Sequence, residues 1–274
     1  PAEAAGVAQP QAPERITPRE IVERNRDAIF LLGALVFGKG EGFCTGFAIA
    51  ERILATNAHC VSEMEEIWQV LGRGRGVYAF QNERPGVRHR VQYALRHPDY
   101  AGENERSDQI GPDIGLVVLD GRVEHHVRLA EKTAAAGLST GDRIYLLGFP
   151  GTLNNTDSPV ATLTEGVVGR LTDLAQRKAD ASSSVLIQHS AFTTKGTSGS
   201  PLFDERGEVV GVNTGYYRGE ATQQRVDPVT GRVSAETVTQ DLQNYAIGMR
   251  VDLLHDLLRL LYDRLGEAPA TEAP

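Results

Sequence analysis

From Ile29 to about residue 250 the chain is a succession of short apolar stretches, each soon stopped by glycine, proline or aspartate. The clearest are Ile29 to Phe37, Phe47 to Leu54, Ile67 to Leu71, Ile114 to Leu119, Arg143 to Leu147, Val185 to Gln188 and Val209 to Thr214. The stops include Gly38-Lys39-Gly40-Glu41-Gly42, Asp120-Gly121 and Gly148-Phe149-Pro150-Gly151. A strand-and-turn pattern of this kind suits barrels or sandwiches and disfavours βαβ units. With 274 residues, the chain is long enough for one large domain or two small packed halves.

Helical signals frame this region. Thr17 is placed to cap a helix, Pro18 fits its first position, Glu20 completes a capping box, and Ile16 with Ile21 makes a hydrophobic staple. A short helix is expected over about 18–27. Leu253, Leu254, Leu257, Leu258, Leu260 and Leu261 predict a second over 252–265, capped by Asp252 and ended by Gly266. Residues 1–15, rich in Ala, Pro and Gln, read as a flexible tail, and 267–274 as another. Residues 218–243, with Asp227-Pro228 and Thr230-Gly231, read as a long surface loop with room for a small hairpin.

Charge narrows the partners. The net charge of -8, with basic residues scattered, argues against nucleic acid, which needs a basic face. The longest apolar run, Ile29 to Phe37, falls far short of the roughly 20 residues of a membrane span. The chain begins at Pro1 rather than Met, so the lack of a visible signal peptide says nothing about export. Two cysteines, Cys44 and Cys60, permit one disulfide and equally permit two buried thiols.

Lys195-Gly196-Thr197-Ser198-Gly199-Ser200-Pro201 carries the most chemistry. Ser-Gly pairs are common in loops. Gly196, however, allows a backbone shape in which the N–H groups of Gly196 and Ser198 both aim at one oxygen, which would be an oxyanion hole worth several kcal/mol in a transition state if preformed. Ser198 as a nucleophile needs a base. His59, in Thr56-Asn57-Ala58-His59-Cys60, is the best candidate. His125 and His126 are adjacent and on a strand would point to opposite faces, His89 sits among arginines, His97 precedes a proline, His189 lies on the strand leading to the serine loop, and His255 is on the C-terminal helix. Asp113, just before an apolar strand, suits a buried acceptor for the base; Asp108 in a polar loop and Asp120 in a turn are its rivals.

Together these segments resemble the chymotrypsin-fold, trypsin-like serine proteases. The order His59, Asp113, Ser198 is that family's order. Thr56-Asn57-Ala58-His59-Cys60, His97-Pro98-Asp99-Tyr100 with Asp113-Ile114-Gly115-Leu116, and Gly196-Thr197-Ser198-Gly199-Ser200-Pro201 look like its three motifs. Thr164-Glu165-Gly166-Val167-Val168, Gly211-Val212-Asn213-Thr214 and Asn244-Tyr245-Ala246-Ile247-Gly248 look most like the bacterial HtrA (Deg-type) proteases. The likeness covers about residues 20–262.

The resemblance implies an all-β fold of two packed six-stranded barrels, about 28–121 and 138–250, flanked by a short N-terminal helix and a C-terminal helix. It implies a serine endopeptidase working through an acyl-enzyme on a protein or peptide substrate, with His59, Asp113 and Ser198 as the triad and Gly196 and Ser198 as the oxyanion hole. A latent or inactive protease-fold binding protein is the alternative. Phe192, Thr193, Asn213, Thr214 and Tyr216 would line the first specificity pocket. Having no Asp, Lys or Arg at its base, that pocket would favour small or medium uncharged side chains. Cys44 and Cys60 flank the histidine segment as in the animal digestive enzymes, which implies a disulfide tying two strands beneath His59 and a periplasmic or secreted location. Thr197 stands where those enzymes carry the aspartate that pairs with a freed N-terminus, so control by N-terminal cleavage is not expected. Ordering of loops around 190–197 or 216–243 is the expected control, with room for a regulatory partner or a further domain outside this chain. No cofactor or metal is expected, since His-Glu-x-x-His and paired Cys-x-x-Cys spacings are lacking.

Overall fold

Thr17 opens the first helix as its sequence requires. Its hydroxyl accepts from the Glu20 N–H and the Glu20 carboxylate accepts from the Thr17 N–H, so the capping box is complete over α1 (Pro18–Asn25). The computed structural model describes residues 15–36, 38–102, 111–151, 155–226 and 233–266. Asp108, the two tails (apart from Arg15), Asp227-Pro228 and Thr230-Gly231 lie outside the described residues.

After a 3-10 turn at Arg26–Ala28 the chain enters twelve strands. The first six are β1 (Ile29–Val36), β2 (Lys39–Ala50), β3 (Ile53–Thr56), β4 (Val77–Gln81), β5 (Arg88–Arg96) and β6 (Gly115–Leu119). They close into a barrel in the order β1-β2-β3-β6-β5-β4. β7 (Arg143–Gly148), β8 (Thr162–Thr172), β9 (Leu186–His189), β10 (Pro201–Phe203), β11 (Val209–Val226) and β12 (Val233–Arg250) close a second, in the order β10-β11-β12-β9-β8-β7. All these pairings are antiparallel. Closure leaves no barrel edge unpaired. One apolar core runs through both barrels, from Phe30, Phe47 and Leu54 to Phe149, Leu202 and Phe203. This is the all-β, two-barrel architecture that the resemblance implied.

Two stretches differ from the strand-and-turn reading. Ile67 to Leu71 is the end of a helix, α2 (Ala58–Leu71). Ala58, Val61, Met64 and Trp68 are buried at spacings of three and four, which is helical and not strand periodicity. Residues 218–226 and 233–243, in the stretch read as a surface loop with room for a small hairpin, prolong β11 and β12 into a two-stranded ribbon in which Tyr217 through Val226 pair with Leu242 back to Val233, so the hairpin takes in the described part of that stretch. A ribbon leaving the barrel has no interior to face, so its sequence lacks the apolar alternation that marks a strand.

A short helix α3 (Lys132–Ala135) joins the barrels, and α4 (Val251–Leu265) ends the fold with Gly266 in the left-handed conformation at φ 68°. Its N-cap is Arg250 and not Asp252. The Arg250 guanidinium is wholly buried. It donates to Asp252 in the first turn (2.8 and 2.9 Å) and to the carbonyls of Ala181 and Ser182 (2.6 and 3.1 Å). That set of acceptors is what lets a cation stay in the interior.

Candidate active site

β3 delivers Asn57 to the start of α2, which puts His59 in the first helical turn. Free N–H groups at a helix start need acceptors. The Asn57 side chain does not supply one here; it donates to the Asp113 carbonyl at 2.8 Å. Asp113, buried just before β6, takes the capping role instead. Its Oδ1 accepts from the His59 N–H at 2.9 Å, and its Oδ2 stands 2.7 Å from His59 Nδ1. The bond to the main chain fixes the carboxylate, and the carboxylate in turn fixes the ring. With Nδ1–H donating to Asp113, Nε2 is left as the acceptor.

Ser198 lies in the turn before β10. Gly199 at φ 81° makes that turn possible, and its N–H donates to the Asn213 carbonyl at 2.9 Å. Ser198 Oγ donates to the Thr214 carbonyl at 3.1 Å. The Asn57 amide reaches Thr214 Oγ1 at 3.5 Å, so Ser198, Thr214, Asn57 and Asp113 form one connected group across the barrel seam.

Gly196 has φ 91°, a region costly for other residues. The Lys195 carbonyl accepts from the Gly151 N–H at 2.5 Å. Across the trans peptide, the Gly196 N–H therefore points away from Gly151. Among the described residues, neither this N–H nor that of Ser198 has an acceptor.

Sequence reasoning passed over Thr45, which braces this loop from the other barrel. Its N–H donates to the Ser198 carbonyl (2.8 Å), its Oγ1 donates to the Gly196 carbonyl (2.9 Å), and the same Oγ1 accepts from the Phe149 N–H (3.0 Å). A threonine beside Cys44 carries no motif that would have found it. Thr197 is likewise tied, without any charge. Its Oγ1 donates to the Thr194 carbonyl at 2.7 Å, and its carbonyl accepts from the Asn213 amide at 2.9 Å. Asn213 Oδ1 accepts from Thr193 Oγ1 at 3.0 Å. Thr193, Thr197 and Asn213 are all buried.

The five residues expected in a specificity pocket divide. Thr193 and Asn213 are closed off and bonded to each other, Thr214 and Tyr216 are half-buried on β11, and Phe192 has 43% of its surface exposed. Behind Asn213 lies His189, buried, with no hydrogen bond at either ring nitrogen. Burial pushes its pKa down to about 4, against a smaller upward pull from Asn213. At the Thr194-Lys195-Gly196 end of the serine loop a groove of about 790 Å3 is lined by Lys39, Glu41, Phe43, Thr156 and Lys195 among others.

Cys44 and Cys60 are joined in a disulfide. It ties β2 to α2, not two strands, because the residue after His59 is helical. Cys44, His59 and Cys60 are also the cluster of possible metal ligands among the described residues. Both sulfurs are spent in the bridge, and His59 Nδ1 is engaged by Asp113.

Comparisons with known proteins agree with the two-barrel fold. The family model for the trypsin-like peptidase domain matches residues 44–212. Exfoliative toxin A of Staphylococcus aureus is 23% identical over 187 residues, which span 65% of this chain and 58% of the toxin. The HtrA-type protease AlgW with a bound decapeptide superimposes with a TM-score of 0.57 at 15% identity, covering 90% of this chain and 68% of that one. An inactive-form serine-to-alanine mutant of Rv3671c from M. tuberculosis H37Rv gives 0.54 at 16% identity, covering 98% of this chain and all of that one. The chain thus spans less than two thirds of the toxin's length.

Proposed function

The chain belongs to the trypsin-like peptidase family, and we propose that it is a serine endopeptidase that hydrolyses protein peptide bonds through an acyl-enzyme on Ser198. The observation that carries this reading is the 2.7 Å contact of His59 Nδ1 with a carboxylate itself anchored to the His59 N–H. It sets the one tautomer that leaves Nε2 able to take a proton.

The hydroxyl proton of Ser198 rests on the Thr214 carbonyl. On attack it passes to His59 Nε2 as Oγ bonds to the substrate carbonyl carbon. The carbonyl oxygen becomes an oxyanion, and the N–H groups of Gly196 and Ser198, spent on nothing else among the described residues, donate to it and stabilise the developing charge. Imidazolium returns the proton to the leaving amine as the C–N bond breaks. Water then repeats the sequence on the ester, giving the acid and restoring Ser198. Apo catalytic contacts commonly tighten only when substrate binds.

The closed Thr193–Asn213 pair and the lack of a charged residue among the five pocket residues favour small or medium uncharged side chains at the cleaved bond. The Cys44–Cys60 bridge supports a periplasmic or secreted setting. A fluorophosphonate probe tests the central claim. It should label the wild-type protein and spare Ser198→Ala; equal labelling of the two, or none of either, overturns the assignment and favours a catalytically silent binding role.

A further inference from the structure

The basic residues are scattered along the chain, but the first barrel gathers several arginines on one face. Residues 72–96 carry six arginines and a single acid, Glu83, in a protein whose net charge is -8. Across the β4–β5 pair Tyr78 stands opposite Arg90, and Phe80 opposite Arg88. Residues paired directly share a face of the sheet, so these four lie on one side, while Val77, Ala79 and Val91 are buried on the other. After α2 the turn at 72–76 runs beside β5: a side-chain carbon placed on Gly74 would lie 3.7 Å from the Gln92 carbonyl oxygen. That turn adds Arg73 and Arg75 to the same region.

Two of these arginines are laid on aromatic rings. The Arg73 guanidinium sits 5.1 Å from the centre of the Tyr93 ring, and that of Arg88 5.5 Å from the centre of the Tyr78 ring. Stacking holds a guanidinium flat and leaves its N–H edges pointing outward, already aimed at an acceptor. Arg73, Arg75, Arg88 and Arg90 are all exposed. Among the described residues Arg73, Arg75 and Arg88 have no carboxylate partner, and Arg90 has Asp120 at 3.6 Å. Arg52 donates only to the neutral oxygens of Leu119 and Gln92. Five guanidinium groups are thus answered by one bonded carboxylate, in a chain with 36 acidic residues.

We propose that this arginine–tyrosine face of β4, β5 and the 72–76 turn is a docking surface for an acidic, extended segment of a partner protein, whose carboxylates take the outward edges of Arg73, Arg75 and Arg88. Carboxylate and guanidinium match as forks, and arginine with tyrosine is the composition of the centre of protein interfaces. A nucleic acid or an anionic bilayer fits less well. Each spreads its charge well beyond a face of this size, and the negative remainder of the protein would repel it beyond the roughly 10 Å over which salt screens. Arg73 follows the end of α2, whose first turn carries His59, so about 20 Å of helix separates the face from the candidate active site. The proposal therefore stands apart from the protease reading.

Fluorescence anisotropy of a labelled decapeptide of alternating Glu and Ala tests it. The peptide should bind at low salt and weaken by roughly 10-fold towards 0.3 M salt, and its Gln-Ala counterpart should not bind. Combining Arg73→Ala, Arg75→Ala and Arg88→Ala should weaken binding by roughly 10- to 100-fold, while Arg259→Ala on α4 changes nothing. The pair Arg73→Lys and Arg88→Lys keeps the charge and loses the stacked forks; it guards against misfolding of the triple variant and should cost roughly 3- to 10-fold. Melting curves confirm that each variant is folded. Equal binding by the triple variant and the wild type would overturn the proposal, as would no binding at low salt. So would tighter binding of single-stranded DNA or phosphatidylserine vesicles than of the acidic peptide, lost in the same variant. A dimer that the triple variant turns to monomer would give the face to a second copy instead.

Discussion

Thr45 Oγ1 donates to the Gly196 carbonyl at 2.9 Å across the seam between the barrels. A side chain of the first barrel thereby fixes the Gly196–Thr197 peptide unit in the second, the unit that lies between the Gly196 and Ser198 N–H groups proposed to face the oxyanion. Thr45→Val keeps the shape and removes the hydroxyl, stranding the Gly196 carbonyl and the Phe149 N–H. We expect stability to fall by about 2 kcal/mol and kcat by roughly 10- to 100-fold with KM little changed. Thr45→Ser should recover most of both. Denaturant midpoints and peptide kinetics on the three proteins check this; an unchanged kcat in Thr45→Val would remove Thr45 from the positioning of the loop.

Asp113 has two duties that substitution separates. Asp113→Asn can still accept from the His59 N–H but no longer enforces the Nδ1–H tautomer. A fall in kcat of about 10^4-fold is expected, with melting little changed. Asp113→Ala should add a loss of about 1 kcal/mol, because the first turn of α2 then loses its acceptor. Thermal melts and single-turnover kinetics distinguish the two variants.

His189 makes folding sensitive to acid. Its pKa is about 4 in the fold against an ordinary 6.5, so below pH 6.5 the unfolded chain binds a proton that the folded one refuses. Stability from this residue is complete near pH 7 and falls as the pH drops from about 6.5 to 4, by roughly 3 kcal/mol in all. His189→Phe should flatten that part of the stability curve. Urea titrations at pH 7, 5.5 and 4.5 would show it; parallel curves for the two proteins refute the assignment.

The disulfide closes a loop of sequence separation 16 between β2 and α2. Replacing both Cys44 and Cys60 by alanine should cost about 3 kcal/mol, seen as a drop in Tm of about 6–12 °C. Because α2 carries His59 in its first turn, activity should be lost at a lower temperature than global melting in the double variant. Activity and circular dichroism melts that coincide would show instead that the bridge stabilises only the whole fold.

What the sequence made legible follows from physics that acts locally. The capping box at Thr17 and Glu20, the leucine face of α4 and the glycine stops between short strands are signals of neighbours along the chain, and each appears in the fold. His59 and Asp113 were legible because the chemistry demands those residue types in a known order, and the fold brings them to 2.7 Å. α2 was missed because Cys60 to Leu71 mixes acids with apolar residues whose period shows only once Val61, Met64 and Trp68 are seen to share a face. Thr45, His189 and the capping use of Asp113 act between segments far apart in sequence. No periodicity or motif records such contacts.

The network of Thr193, Thr197 and Asn213 has a further consequence. It holds the nucleophile loop with hydroxyls and an amide alone, none of which gains or loses a proton between neutral and strongly alkaline pH. An ammonium latch lets go when it deprotonates; this one has nothing to let go. On the protease reading proposed above, closing this loop would call on no new N-terminus, and restraint would fall to where the protein is kept and to what reaches its cleft.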